Sequence, residues 1–294
     1  MDFKGEQRMG LKEKLGKQFV ITTELGPTDG TDVRTALEKA RSYIKLDAIN
    51  IHDCPMARMR INSIALAHIV QSELGIDTIP HFTCRDRSLL GTQADLLGAD
   101  ALGIRLLLPT TGDPPQHGPY QSSAVYDLNT LSLISLIKEM NKGLDASGKE
   151  FKGPTDFMVS GTTSTAAANM DAVYSRAKRK VEAGADFFQT QPCYDAEKTI
   201  AFVEEMEQLG KPVIIGLMPL KSIKMAEYMN DSVDGIEIPG EVLAQIREGV
   251  TGAAVACEFV TKVYKHIDGI HIMALGDVKA SNEIIEHTLN LVGT

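Results

Sequence analysis

Tryptophan is absent from this 294-residue chain, and cysteine is scarce: there are four, none in a C-x-x-C pair. So few cysteines in so long a chain exclude a disulfide framework, and their spacing matches no zinc motif. A basic excess is missing too. Lys plus Arg number 30 against 39 Asp plus Glu, a net charge of −9, whereas a nucleic-acid binder usually presents a basic field. No apolar run approaches the ~20 residues that a membrane helix requires. The opening stretch, MDFKGEQRMGLKEKLGK, carries charge where a secretion signal would need an apolar centre. Neither a G-x-G-x-x-G fingerprint nor a Walker A loop follows the first strand-like run, which ends in ELGPTDG. What remains is ordinary globular composition, 43% hydrophobic and 23% charged. The expectation is a soluble cytoplasmic protein that neither binds nucleic acid nor inserts into a membrane.

Eight short β-rich runs recur along the chain: FVITTEL from Phe19, LDAINIH from Leu46, IDTIPHFT from Ile76, ALGIRLLL from Ala101, TDFMVSG from Thr155, DFFQTQ from Asp186, PVIIGLM from Pro212 and GIHIMAL from Gly269. Most start roughly 30 residues apart, the length of one βα unit. The wider gaps before the fifth and eighth runs leave room for an extra loop or helix. Several runs are continuously apolar, as parallel strands covered on both faces are. Amphipathic stretches such as DVRTALEKARSYI and DAEKTIAFVEEMEQL lie between them. Thr31 and Asp195 are candidate N-caps, and Gly75, Gly184 and Gly210 stand where left-handed helix ends fit. Eight alternating units predict an α/β protein with one domain, residues 1–294, folded as a (β/α)8 TIM barrel. A doubly wound open sheet is the alternative, but it would carry a phosphate loop after its first strand.

A barrel of this kind hosts chemistry at the C-terminal ends of its strands. The predicted ends bring up Glu24; His52 and Asp53; His81, Thr83 and Cys84; the Thr110-Thr111-Gly112-Asp113-Pro114-Pro115 segment; Ser160 and Gly161; Gln189 and Gln191; Met218 and Pro219; and Leu275 and Gly276. Two carboxylates at one mouth, Glu24 and Asp113, suit acid–base work if their environments differ. The bland alternative is that Asp113 caps a turn and Glu24 pairs with an Arg. His52, His81, Cys54, Cys84 and Cys193 near one rim raise a zinc site, although buried Cys is commonly a small hydrophobe. Met56, Met59 and Met170 open helical stretches and read as packing residues; Met218, Met225 and Met229 are candidates to line a pocket.

Taken in order, ITTELGP with Glu24, IPHFTC with His81, TTGDPP with Asp113, KRKVEAGADFFQTQPCYD with Lys180 and Gln191, GLMPLKS and IPGEVLAQI resemble the methylenetetrahydrofolate reductase family over almost the whole chain. The resemblance implies a (β/α)8 barrel holding a flavin, usually FAD, that reduces 5,10-methylenetetrahydrofolate to 5-methyltetrahydrofolate with NADH or NADPH as electron donor. It implies Glu24 as the general acid that opens the folate's bridging ring, with a pKa raised by burial. It places Asp113 between flavin and folate as a second catalytic group, and Gln191 on the pterin. His81, Gly112 and Lys180 fall on flavin-contacting positions, with His52 and Thr111 beside them.

Some positions depart from that pattern. Thr111 precedes Gly112-Asp113 where many members have Arg, and Ser160-Gly161-Thr162-Thr163-Ser164 stands where several carry Tyr and His. His52-Asp53 replaces a common Thr, Met225 stands where some use Gln toward nicotinamide and folate, and Asp277, with Lys279 nearby, occupies the place of an Arg at the folate tail. These changes raise FMN in place of FAD, weak flavin binding, and electrons from a redox partner subunit in a homo-oligomer or hetero-complex. The rival readings are a zinc- or corrinoid-linked methyltransferase barrel using Cys54, Cys84 and Cys193, and a folate-binding subunit without catalysis.

Overall fold

The computed structural model describes residues 9–293. Eight parallel strands close into a barrel in the order β1-β2-β3-β4-β5-β6-β7-β8. They are β1 (Val20–Leu25), β2 (Ala48–Ile51), β3 (Asp77–Thr83), β4 (Leu106–Thr110), β5 (Met158–Thr163), β6 (Phe187–Pro192), β7 (Val213–Leu217) and β8 (Gly269–Ile272). Closure comes from β1 pairing with β8, with Val20 opposite Gly269 and Thr23 opposite Ile272. Around it run α1 (Leu11–Lys14), α2 (Arg34–Arg41), α3 (Ser63–Leu74), α4 (Leu89–Ala101), α5 (Thr130–Asn141), α6 (Met170–Ala183), α7 (Ala196–Glu207), α8 (Ile223–Ser232), α9 (Gly240–Arg247), α10 (Gly252–Val263) and α11 (Val278–Val292). The predicted barrel is therefore the observed one, and the gap before β8 holds α8, α9 and α10. Among the described residues, no helix is long and apolar enough to cross a membrane.

Side-chain alternation divides each strand between two environments. One set of residues packs outward against the helices in a large apolar core that includes Ile49, Ile51, Phe82, Val159, Phe188, Ile215 and Ile270. The other set points into the barrel. Its floor is apolar: Val20, Ala48, Ile79, Leu106, Leu108, Phe187 and Ile214 come together with Leu11 of α1 and with Leu15. The short α1 thus closes the N-terminal end, tied there by the Leu11 amide donating to Asp77 Oδ2 at 2.7 Å. Two residues further along the strands the same inward rows turn polar: Thr22, Asn50, His81, Gln189 and His271 are hydrogen-bonded to one another or to the backbone. The Asn50–Gln189 bond joins β2 to β6, strands on opposite sides of the barrel, so it crosses the interior.

Acids fix the N-terminal ends of the strands. Asp47, Asp186 and Asp268 each stand before a strand and accept the amide of the preceding one, from Ile21, Val159 and Val213, at 2.7–2.8 Å. At the opposite face helices begin on side-chain caps: Asn62, Ser88, Asn129, Asn169, Asp195, Ser222 and Asp277 at the ends of βα connections, and Thr251 between α9 and α10, each accept an amide of the first helical turn. Asp195 is the predicted cap. Thr31 is not: α2 starts at Arg34 after Val33, and Asp32 supplies the carboxylate that takes the Arg34 amide. Two strand limits also differ from expectation. Ala101 still belongs to α4, because the turn comes only at Gly103 with its positive φ of 81°. β5 runs on past Gly161 to Thr163, paired with β6 as far as Thr190.

Leu11 is fully buried in the apolar floor. Leu11→Ala should lower the free energy of unfolding by about 2–5 kcal/mol, the usual cost of emptying such a site, read from urea denaturation. A loss below about 0.5 kcal/mol would show that α1 does not close the barrel.

Candidate functional site

The polar rows lead up to the C-terminal mouth. Glu24 and His52 are the next inward positions of the β1 and β2 rows, and His52 Nε2 lies 3.0 Å from Glu24 Oε2. The ring of His81 is 5.0 Å from that of His52, centre to centre. His52, His81, Thr83, Thr110, Gly112 and Asp113 line one cavity of about 380 Å³, large enough for part of a small ligand. Glu24 approaches this cavity by way of His52.

Charge is unevenly distributed among these groups. Burial pushes the Glu24 carboxyl up, the largest single influence on it. The His52 hydrogen bond and the charges of His52, His271 and Lys39 together outweigh burial, so Glu24 sits below the ordinary carboxylate value. The expectation of a raised value fails here because the burial it relied on brings a histidine within bonding distance. His81 is held well below the ordinary imidazole value by burial, and further by the charges of His52 and His271. The Asn50 amide donates to His81 Nε2 at 3.2 Å, as befits a neutral ring with its lone pair there. Burial likewise takes His271 down to about 4, with Glu24 pulling the other way. Two of the three histidines around Glu24 are therefore neutral near pH 7.

Asp113 is placed by loop geometry. Gly112, at φ 87°, packs where a Cβ would fall 3.0 Å from Thr83 Cβ, so the chain turns tightly and presents Asp113 toward the loop after β2. There Asp113 Oδ2 accepts the Met56 amide at 2.6 Å. Cys54, Met56 and Ala57 all have positive φ in this loop, a costly conformation for non-glycine residues. The buried Arg85 guanidinium holds it by donating to the carbonyls of Cys54 and Asp113, each at 3.2 Å. Asp113 thus caps a turn and also faces the cavity. Met56 and Met59 are exposed, contrary to their reading as packing residues, while Met170 packs against the core.

A second cavity, of about 340 Å³, opens at the ends of β5 and β6, lined by Thr162, Thr163, Ser164, Arg176, Lys180, Gln191 and Asp234 among others. Lys180 Nζ donates to the Thr162 carbonyl at 2.6 Å and to its hydroxyl at 3.0 Å. Burial, and then the charge of Arg176, bring Lys180 down to about 8. Among the described residues neither cation forms an ion pair, and Thr163 Oγ1 is the one buried side-chain polar atom lacking a hydrogen-bond partner. Two cations and an orphan hydroxyl around a cavity fit a phosphate-bearing ligand.

The other nominated residues lie apart. The Thr111 hydroxyl meets that of Thr130 at 3.0 Å on the exposed rim. Met225 sits in the first turn of α8 against a satellite cluster of Leu220, Met229, Ile236 and Ile238. Asp277 caps α11 by accepting the Ala280 amide at 3.0 Å. Among the described residues no group of three or more His, Cys, Asp or Glu is arranged to hold a metal ion. Burial pushes the Cys84 thiol up to about 11 and raises that of Cys193, which suits packing rather than ligation.

Sequence reasoning missed Asn50, Arg85, Arg176 and His271. Arg176 was findable, because it stands four residues before Lys180 on a helical pattern and so shares its face. His271, in the middle of an apolar strand, was a weaker sign. Nothing local marks Arg85 as the clamp of two loops.

Comparison with known proteins gives the family. The chain matches the family profile described as Methylenetetrahydrofolate reductase over residues 11–289. It belongs to the methylenetetrahydrofolate reductase family. Methylenetetrahydrofolate reductase (NADH) 1 of Arabidopsis thaliana is 26% identical over 243 residues, covering 76% of this chain and 40% of the relative. The 5,10-methylenetetrahydrofolate reductase of Pectobacterium carotovorum is 22% identical over 312 residues, 98% of this chain and 97% of that protein. A Caenorhabditis elegans relative, a probable methylenetetrahydrofolate reductase (NADPH), is 28% identical over 62% of this chain and 26% of its own length. The chain thus spans less than half of these eukaryotic relatives and nearly all of the bacterial one.

The buried neutral histidines set an acid limit on this family member's stability. His271 titrates at about 4 in the folded chain and near 6.5 when unfolded, so the unfolded state binds more protons between those values. Its contribution is complete above pH 6.5 and is lost as pH falls through 4, by roughly 3 kcal/mol. His271→Gln should flatten the fall in urea midpoint over that window; an unchanged slope would show that His271 is not buried as a neutral ring.

Proposed function

We propose that this chain reduces 5,10-methylenetetrahydrofolate to 5-methyltetrahydrofolate using a bound flavin. Family membership supports the reaction. The observation that supports the site assignment is that His52, hydrogen-bonded to Glu24, and Asp113 line one cavity at the barrel mouth.

The bridging methylene accepts hydride poorly while both folate nitrogens hold it in a ring. Glu24 is the acid that protonates one nitrogen, which opens the ring to an iminium cation. Asp113, as a carboxylate fixed by the Met56 amide, stabilises that cation from the other side. The Gln191 carbonyl accepts from Thr190 and Cys193, while its side-chain amide, on the second cavity, makes no hydrogen bond among the described residues and is free to orient the pterin edge. Lys180 and Arg176 would hold the flavin's phosphate, with the orphan Thr163 hydroxyl as a further donor beside them. The flavin, when bound, supplies the hydride. A site with one pair of cations suits FMN as well as FAD, since FMN asks for a single phosphate contact.

A second reading concerns the electron source. Relatives carry NADH and NADPH in their names, yet here Met225 packs into an apolar cluster and Thr111 faces the rim. With those contacts altered, a redox partner subunit delivering electrons to the flavin is the alternative to a nicotinamide.

Two experiments test the proposal. Flavin reduced by light under argon should be reoxidised by added methylenetetrahydrofolate, and Glu24→Gln should slow that step about 10²–10⁴-fold while leaving photoreduction unchanged. Near-normal reoxidation in Glu24→Gln would remove Glu24 from its role. Lys180→Met should weaken flavin binding by about 1.5–3 kcal/mol, the worth of a charged hydrogen bond, measured by fluorescence titration; unaltered affinity would place the phosphate elsewhere.

A further inference from the structure

We propose that His52 is the positioning residue that keeps a proton available to Glu24, so that the acid at the barrel mouth is the hydrogen-bonded pair and not the carboxyl group alone. This deepens the proposed function and rests on it.

The geometry confines the proton. Glu24 Oε2 meets His52 Nε2 at 3.0 Å, and Oε1 accepts no hydrogen bond from any described residue. The Glu24 side chain is 11% exposed and that of His52 25%, so the histidine is the more open of the two and lines the cavity itself. The surrounding groups have other commitments. His81, on β3, accepts from the Asn50 amide. His271, on β8, is bonded to the Thr22 hydroxyl. Asp53, next to His52 in the chain, is engaged by Arg87 and by Thr83. Lys39, on α2, acts on Glu24 through its charge and forms no ion pair with it among the described contacts; Tyr43, after α2, is bonded to Thr23. Asp113 stands at the cavity with its carboxylate on the Met56 amide. Among the described residues, His52 is thus the one group hydrogen-bonded to the Glu24 carboxyl and able to exchange a proton with it directly.

A general acid must arrive at the reaction protonated, and the surroundings of Glu24 favour its anion. The pair resolves the conflict. In the resting site the proton resides on the imidazole, with His52 Nε2–H donating to the Glu24 carboxylate. The proton passes from Nε2 to the carboxylate and from the resulting carboxyl group to the folate nitrogen. The pair is left as a carboxylate beside a neutral imidazole, and a solvent proton taken up by His52 restores it. No oxidant or further reactant is needed.

The test uses His52→Gln, which keeps a hydrogen-bond donor but carries no titrating proton, and His52→Thr as a second variant of different size. Infrared difference spectra of the flavin-free chain, with Glu24→Gln as the blank, report the carboxyl directly. At pH 6 the wild type should show an ionised Glu24, and both variants a protonated one, because burial then acts on Glu24 without the imidazole. In the flavin-loaded chain, the alkaline limb of flavin reoxidation by methylenetetrahydrofolate should move to lower pH by on the order of one to two units. An ionised Glu24 in the variants, or an alkaline limb that stays in place whatever the rate, overturns the inference and leaves His52 as packing. A wild-type flavin that methylenetetrahydrofolate fails to reoxidise at any pH overturns the proposed function itself, and this inference with it.

Discussion

A carboxylate at the mouth of this barrel is bonded to a histidine instead of a fixed cation, and the arrangement of the interior follows from accommodating that bond. An arginine in the place of His52 would hold Glu24 permanently ionised, while an apolar residue would leave it to burial alone. The Glu24–His52 contact at 3.0 Å lies between those extremes. It is supported from below by a layer in which every polar group has a partner: His81 on Asn50, Asn50 on Gln189 across the barrel, and His271 on Thr22. Such a layer is stable only when fully satisfied, and beneath it the floor is apolar.

That gradient divides the work. The N-terminal end carries the stability of the fold through apolar packing, the α1 closure, and the acids that accept amides from neighbouring strands. The C-terminal end carries strained loop conformations at Cys54, Met56 and Ala57, and the buried Arg85 that holds them. Strain of this kind persists only where surroundings over-determine it. Here Asp113 is part of the restraint, so the carboxylate assigned to the reaction also fixes the loop facing it.

Most of the fold was legible because its signal is periodic. Eight apolar runs at regular spacing leave few alternatives to a barrel, and Asp195, Gly75 and Gly184 announce helix ends through local chemistry. The failures were local as well: Thr31 lost to Asp32 because a carboxylate nearer the helix took the amide. Of the residues named from strand ends, His52, His81, Thr83, Thr110, Gly112 and Asp113 line one cavity and Gln191 another, while several others lie apart. What the sequence could not show was pairing. His52 looked like a departure from a family pattern, and only the register of β1 against β2 puts it beside Glu24. The charge on Glu24 was misjudged for the same reason, since burial is readable from an apolar strand while a partner from the next strand is not. Arg85 and Arg176 act across distances in sequence, or through a helix face, that no strand-end rule covers.

Neutron diffraction from deuterated crystals at pH 6 measures the central claim directly. Deuterium should appear on both ring nitrogens of His52 and on neither oxygen of Glu24, with His81 and His271 each carrying one. A singly deuterated His52 beside an ionised Glu24 would contradict the account, because the mouth of the barrel would then hold no proton to give.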